Sequence, residues 1–303
     1  MKGEKLDQAS VLREMKKKES VAGSGVTLPA FDVQNQSPPR HKVRVIAVTS
    51  GKGGVGKTNI SVNLAYFLSK LKKKVLMLDA DVGLANIDVV LGLTPQYNLY
   101  HVLRGEKSIR EIMVEGPGGM LILPAASGIQ EMTNLSQGNR LTLLDEVKTL
   151  QERVDFMLID TGAGIASHVM YFNMAAQEII VIATPEPTSI TDAYALIKVL
   201  HQQHAKEHFR LLINMVKTET EAKEVFTRLN QATNHFLNIS IEYLGYVTYD
   251  EHISESIRKQ QPFVTLFPNA PATKCLRKLA EKIAKEERFA EVTGTPGFFW
   301  DAI

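Results

Sequence analysis

Short apolar runs separated by amphipathic stretches organise the chain from Lys42 onward. Val43–Thr49 is apolar at alternate or adjacent positions and runs into a glycine-rich turn. Val75–Leu78, Met120–Leu123, Phe156–Ile159, Ile179–Ala183, Leu211–Ile213 and Tyr243–Val247 repeat the pattern. Runs this short and continuous predict strands buried on both faces. Between them, Lys57–Leu71 sets Ile60, Leu64, Phe67, Leu68 and Leu71 on one helical face. Leu141–Leu150, Thr188–Leu200 and Glu219–Phe236 are further helical stretches. Strands alternating with helices predict parallel pairing through right-handed crossovers. The expected fold is α/β: a doubly wound, mostly parallel sheet with helices on both faces. Such sheets bind ligands beyond the carboxyl ends of their strands.

The ends of the chain depart from this pattern. Residues 1–18 predict a helix, with Leu6, Ala9, Leu12 and Met15 three apart and no Gly or Pro between Lys5 and Ser20. Residues 19–41 carry Gly23, Gly25, Pro29, Pro38 and Pro39 with few large apolar side chains, which reads as a linker. A flexible chain of that length spans about 25 Å, so the first helix can act at a distance from the 42–285 domain. Residues 286–303 form a tail.

Charge and composition narrow the function. The chain has 35 Lys+Arg against 33 Asp+Glu over 303 residues, a net of +2. Residues 1–44 hold nine basic and five acidic side chains, so the remainder is slightly acidic. A DNA-binding face would need a dense basic surface, and no nucleic acid is expected as a partner. The single Cys275 excludes a disulfide framework and an all-cysteine metal or iron–sulfur site in one chain. No run approaches the roughly 20 apolar residues of a spanning helix, and Met1–Lys18 lacks an apolar signal segment. A cytoplasmic protein with at most peripheral membrane contact is expected.

The turn after the first strand reads Gly51-Lys52-Gly53-Gly54-Val55-Gly56-Lys57-Thr58. It fits G-x-x-x-x-G-K-[ST] between a predicted strand and a predicted helix, the context that defines a P-loop. Glycines let backbone N–H groups curl around phosphates, and the helix N-terminus adds positive potential. Lys57 neutralises β/γ-phosphate oxygens, and the Thr58 hydroxyl takes a position on Mg²⁺. Asp79 and Asp81 follow Val75–Leu78, and Asp160 follows Phe156–Ile159. All three are expected at strand ends on the P-loop edge. Asp160 suits the Mg²⁺ shell, Asp79 can support that shell, and Asp81 can position the attacking water. Each one taken alone also fits a helix or turn cap.

Lys52 makes the loop a deviant Walker A motif, K-G-G-x-G-K-T. With Asp79-Ala80-Asp81-Val82-Gly83-Leu84-Ala85-Asn86 and Asp160-Thr161-Gly162-Ala163-Gly164, residues 43–284 resemble the MinD/ParA class of ATPases. The resemblance implies an ATP- and Mg²⁺-dependent homodimer in which Lys52 reaches the partner's nucleotide and Asp81 orients water. It places Asn214 and Met215 at the adenine side, and Asn59, directly after Thr58, is counted among the nucleotide-binding candidates. Hydrolysis is expected to be slow without a partner.

Asp7-Gln8-Ala9-Ser10-Val11-Leu12-Arg13 resembles the D-Q-A-x-x-L-R motif of the FlhG family, MinD-like regulators of flagellar number and placement. Asp7, Gln8, Ala9, Leu12 and Arg13 would then engage the GTPase FlhF. Flagellar switch-complex proteins and a flagellar transcription activator are further implied partners. Phe298, Phe299, Trp300 and Ile303 resemble that family's aromatic C-terminal segment. They are candidates for contact with the inner face of the cell membrane in the ATP state, or for folding back onto the domain. Leu276, Leu279, Ala280 and Ile283 make a stripe that suits core packing. His201, His204 and His208 lack a matched carboxylate or cysteine set and read as a solvent-facing helix end. Pro185-Glu186-Pro187 is a turn near the nucleotide edge. A division-site MinD-type membrane recruiter and a ParA-type DNA-partitioning ATPase are the rival readings.

Overall fold

The computed structural model describes residues 43–81, 86–124 and 154–286. The D-Q-A helix, the linker, the predicted helix Leu141–Leu150 and the aromatic tail lie outside the described residues.

Eight strands form one sheet: β1 (Arg44–Ser50), β2 (Val75–Ala80), β3 (Val114–Glu115), β4 (Leu121–Leu123), β5 (Phe156–Ala163), β6 (Glu178–Ala183), β7 (Arg210–Val216) and β8 (Glu242–Thr248). Their order is β3-β4-β2-β5-β1-β6-β7-β8. Every pairing is parallel except β3–β4. All seven expected strands are present. The two-residue edge strand β3 is not among those expected; it takes only Val114 from the short apolar run Ile112–Val114. The last strand differs from expectation: in β8 only Leu244 and Val247 are buried, because it closes one edge of the sheet. β5 also continues past Ile159 to Ala163, so Asp160 sits inside a strand rather than after it.

Successive strand residues alternate between the two faces of the sheet. Ile46, Val48, Leu158 and Ile180 pack with Ile60, Leu64, Phe67 and Leu68 of α1 (Lys57–Lys70). Leu276, Leu279, Ala280 and Ile283 of the last described helix (Pro271–Lys285) join that cluster, so the stripe is core. On the opposite face, Val181 and Ile213 pack against the helices Ser167–Ala175, Pro187–His204 and Glu219–Leu237. Helix α2 (Asn86–Leu91) follows β2, the short helices Leu99–Leu103 and Ile109–Ile112 cover its far side, and Ile253–Arg258 and Phe263–Leu266 follow β8. We label the remaining helices in chain order: α3 (Leu99–Leu103), α4 (Ile109–Ile112), α5 (Ser167–Ala175), α6 (Pro187–His204), α7 (Glu219–Leu237), α8 (Ile253–Arg258), α9 (Phe263–Leu266) and α10 (Pro271–Lys285).

At the base of the sheet, Arg44 donates to both oxygens of Glu178 at 2.8 and 3.0 Å. It also donates to the carbonyls of Ile283 and Glu286 at 2.6 and 2.8 Å, pinning the end of α10. Arg210 bonds Glu178, Glu242 and Glu286 from β7. Removing one member of such a buried ion network leaves the others uncompensated.

Candidate functional site

The P-loop is shaped by its neighbours. A Cβ on Gly51 would lie 2.1 Å from the Asp192 carbonyl oxygen, so only glycine lets the loop rest against the α6 backbone. Gly56 has φ +85°, and a Cβ there would lie 2.5 Å from Asn214 Nδ2. The positive φ turns the chain into α1 without a side-chain cap. The first-turn N–H groups are therefore left for a ligand, and they favour an anion. Val55 is buried, and its carbonyl accepts from Asn214 Nδ2 at 2.8 Å. Asn214 Oδ1 is buried with no hydrogen-bond partner among the described residues. Met215, next along β7, takes φ +61°, a left-handed conformation at a bulge between β7 and β8. The N-M pair thus abuts the P-loop, with one acceptor unused.

Lys57 lies buried beside Asp160, Nζ to Oδ1 at 3.4 Å. Ser61 donates to the same oxygen at 3.0 Å, and Thr58 lies near enough to favour the charged carboxyl. Burial pushes the Asp160 carboxyl upward, and Lys57 opposes that shift. Asp160 Oδ2 has no partner among the described residues. A dry anionic oxygen beside the Thr58 hydroxyl is a donor set that suits a hard cation. This donor set fits Mg²⁺: Thr58 and Asp160 would hold the ion, which would supply charge neutralisation to a bound phosphate.

Asp79 pairs in register with Asp160 on the adjacent strand and is buried. Its Oδ2 accepts from the Ile87 N–H at 3.0 Å and its Oδ1 from the Asp81 N–H at 3.3 Å. It therefore caps the start of α2 and holds the Asp81 backbone, one of the roles left open for it. Burial pushes this carboxyl up to about 7, with the neighbouring Asp160 charge adding to the rise. The native state then holds a proton that the unfolded chain, with an ordinary value near 3.8, has released. Rising pH between about 4 and 7 must favour unfolding, by up to about 4 kcal/mol from this group. Urea melts of nucleotide-free protein should show stability falling from pH 5 to pH 8. Asp79→Asn should flatten that slope; an identical slope would remove Asp79 as its source.

Asp81 stands just past β2. Asn86 Nδ2 donates to its Oδ2 at 2.8 Å. Its Oδ1 faces Gly162, where a Cβ would come within 3.2 Å. The D-x-D and D-T-G-A-G segments therefore meet at this carboxylate, which has one oxygen anchored and one turned to the opposite segment. Lys52 instead points along its own chain, Nζ 2.7 Å from Glu186 Oε2 and 3.1 Å from Thr188 Oγ1. That pair is exposed, so it holds Lys52 by no more than about 1 kcal/mol and yields readily to a stronger partner. Gly53 and Gly54 have open space where a side chain would stand.

The fold thus brings Gly51 to Asn59, Asp79, Asp81, Asp160, Asn214 and Met215 to one edge. Asp7, Gln8, Ala9, Leu12, Arg13, Phe298, Phe299, Trp300 and Ile303 lie outside the described residues. His201 and His204 end α6, and His201 Nδ1 bonds the Lys206 carbonyl at 3.0 Å. Sequence reasoning missed Ser61, Asn86 and Thr188. Ser61 sits one helical turn after Lys57, a spacing that was available as a signal. Asn86 closes the D-x-D motif five residues after its partner Asp81, whereas the partner of Thr188 depends on the P-loop meeting the start of α6.

A family model described as "ParA: NUBPL iron-transfer P-loop NTPase" matches residues 42–284. The chain is 44% identical over 243 residues to the antiactivator FleN of Pseudomonas aeruginosa, covering 80% of this chain and 87% of that one. It is 36% identical over 227 residues to the flagellum site-determining protein YlxH of Helicobacter pylori, covering 75% and 76%. The septum site-determining protein MinD of Pyrococcus horikoshii, solved with Mg-ADP, superposes with a TM-score of 0.64 at 26% identity, covering 80% and 96%.

Proposed function

Because the chain belongs to the ParA family of P-loop NTPases and is an ATPase similar to MinD, we propose that it is an ATP-dependent dimerising switch that regulates flagellar number or placement. The observation that carries the proposal is the lightly held Lys52 at the mouth of a complete nucleotide site. Lys52 exchanges its exposed Glu186 partner for the nucleotide of a second protomer, and two sites close face to face. ATP with Mg²⁺ occupies the site, with Thr58 and Asp160 at the cation and Asn214 and Met215 beside the base. Asp81 orients water, and hydrolysis reopens the pair. The name of YlxH, a flagellum site-determining protein, supports the flagellar assignment.

In this reading the D-Q-A helix, residues 1–18, engages FlhF at the end of its linker. A flagellar transcription activator reads the dimer state, as the word antiactivator in the name of FleN suggests, and flagellar switch-complex proteins read it as well. The protein moves between the cytoplasm and the inner face of the cell membrane, which Phe298, Phe299, Trp300 and Ile303 touch in the ATP form. Two tails in one dimer raise avidity without new contacts.

A peptide of residues 1–20 should stimulate GTP hydrolysis by FlhF, and the same peptide carrying Gln8→Ala should not. Equal stimulation by both removes the role of Gln8, and none by either removes FlhF as the partner of this segment.

A further inference from the structure

Asn63 lies on α1 one helical turn after Asn59, and it is fully buried. The Val264 backbone N–H, which can only donate, reaches Asn63 Oδ1 at 3.1 Å. That contact fixes which way the Asn63 amide faces: oxygen toward α9, nitrogen toward the first turn of α1. The nitrogen donates to the Asn59 carbonyl at 2.7 Å and to Asn59 Oδ1 at 3.0 Å. The orientation of Asn59 follows in turn. Its oxygen is engaged, and its Nδ2 is buried without a partner among the described residues. Asn59 is itself more than nine-tenths buried.

A buried amide nitrogen with no acceptor is unfavourable and calls for an explanation. This one sits in the helix turn that directly follows the Lys57-Thr58 pair and whose N-terminus no side chain caps. An anionic oxygen bound there supplies the missing acceptor. We propose that Asn63 is a positioning residue for nucleotide binding: anchored by the Val264 N–H, it locks the Asn59 amide with its nitrogen, not its oxygen, turned to the bound phosphates. The same lock ties the nucleotide site to α9, whose following residue Phe267 accepts from Thr273 Oγ1 in the first turn of α10. The inference rests on the nucleotide reading above.

The test is calorimetric titration of the full chain with ATP and Mg²⁺, with thermal melts of the nucleotide-free variants as the fold control. Asn59→Ala should weaken ATP binding roughly tenfold, the worth of one hydrogen bond to a charged group. Asn63→Ala should weaken it similarly, and the double variant should be no weaker than Asn59→Ala. Asn63→Ala also strips Val264 of its acceptor, so it can melt early. Asn63→Asp is the second arm. Once its carboxyl is ionised, which the titration is carried to high enough pH to ensure, it still accepts from Val264 but cannot donate to Asn59. The Asn59 amide must then turn its nitrogen inward and its oxygen toward the phosphates. Asn63→Asp should therefore weaken binding more in the wild-type background than in the Asn59→Ala background. The second background retains the charge effect alone. Additive losses, or an equal effect of Asn63→Asp in both backgrounds, would overturn the proposal. Wild type that binds no ATP would overturn the nucleotide reading and this inference with it.

Discussion

Lys57→Ala should lose both nucleotide affinity and stability, and the two losses should separate in a double variant. The Lys57 ammonium is buried against Asp160, whose carboxylate is fully enclosed. Truncating the lysine leaves that carboxylate without its cation, a change that costs about 3–5 kcal/mol in buried pairs. The same ammonium is the P-loop's charge for β/γ-phosphate oxygens. Losing its charge-assisted hydrogen bonds should weaken ATP binding about 100-fold. Adding Asp160→Asn removes the stranded charge, so urea melts should recover most of the lost stability. Calorimetry should show no recovery of ATP binding. If the double variant melts like Lys57→Ala alone, the Lys57–Asp160 pair is not what its geometry implies.

Asp81→Ala should leave ATP binding near the wild-type level and lower turnover about 100-fold, the scale of a lost proton-handling or water-orienting group. The Asp81 carboxylate has one oxygen tethered by Asn86 and the other turned toward Gly162. Neither oxygen bonds a P-loop residue. If Asp81 acts by orientation, Asn86→Ala should fall between wild type and Asp81→Ala, at roughly a tenfold loss. In the dimerising switch proposed above, the slow variant accumulates as a closed pair. Light scattering with ATP should show Asp81→Ala as a lasting dimer while wild type returns to monomer as ATP is consumed. A variant that stays monomeric with saturating ATP would end the switch reading. One that hydrolyses at the wild-type rate would end the role of Asp81.

These two residues also differ in how they could be found. Lys57 is visible from spacing alone, because a P-loop is a local object: strand, glycine turn and helix are consecutive, and each residue's task follows from its place in the turn. The alternation of apolar runs and amphipathic stretches is equally local, and it was enough for seven of the eight strands and for a parallel sheet. The burial of Leu276, Leu279, Ala280 and Ile283 was likewise readable from helical spacing.

What only the tertiary structure decided are contacts between segments far apart in the chain. Asp160 reads from sequence as a strand-end carboxylate. It lies within β5, beside β2, where its neighbour Asp79 is turned inward to hold two backbone N–H groups. Gly51 reads as one glycine of a flexible loop, yet its constraint is the α6 backbone at Asp192, 141 residues onward. The partner of Lys52 in this chain and the orientation of the Asn59 amide through Asn63 and Val264 depend on how elements distant in the chain pack together. Residue type and periodicity determine which elements form and which face each element buries, because those follow from the local backbone and the hydrophobic effect. Which hydrogen-bonding atoms meet is set by how the finished elements pack, and a side-chain amide or carboxylate has no preferred partner until that packing exists.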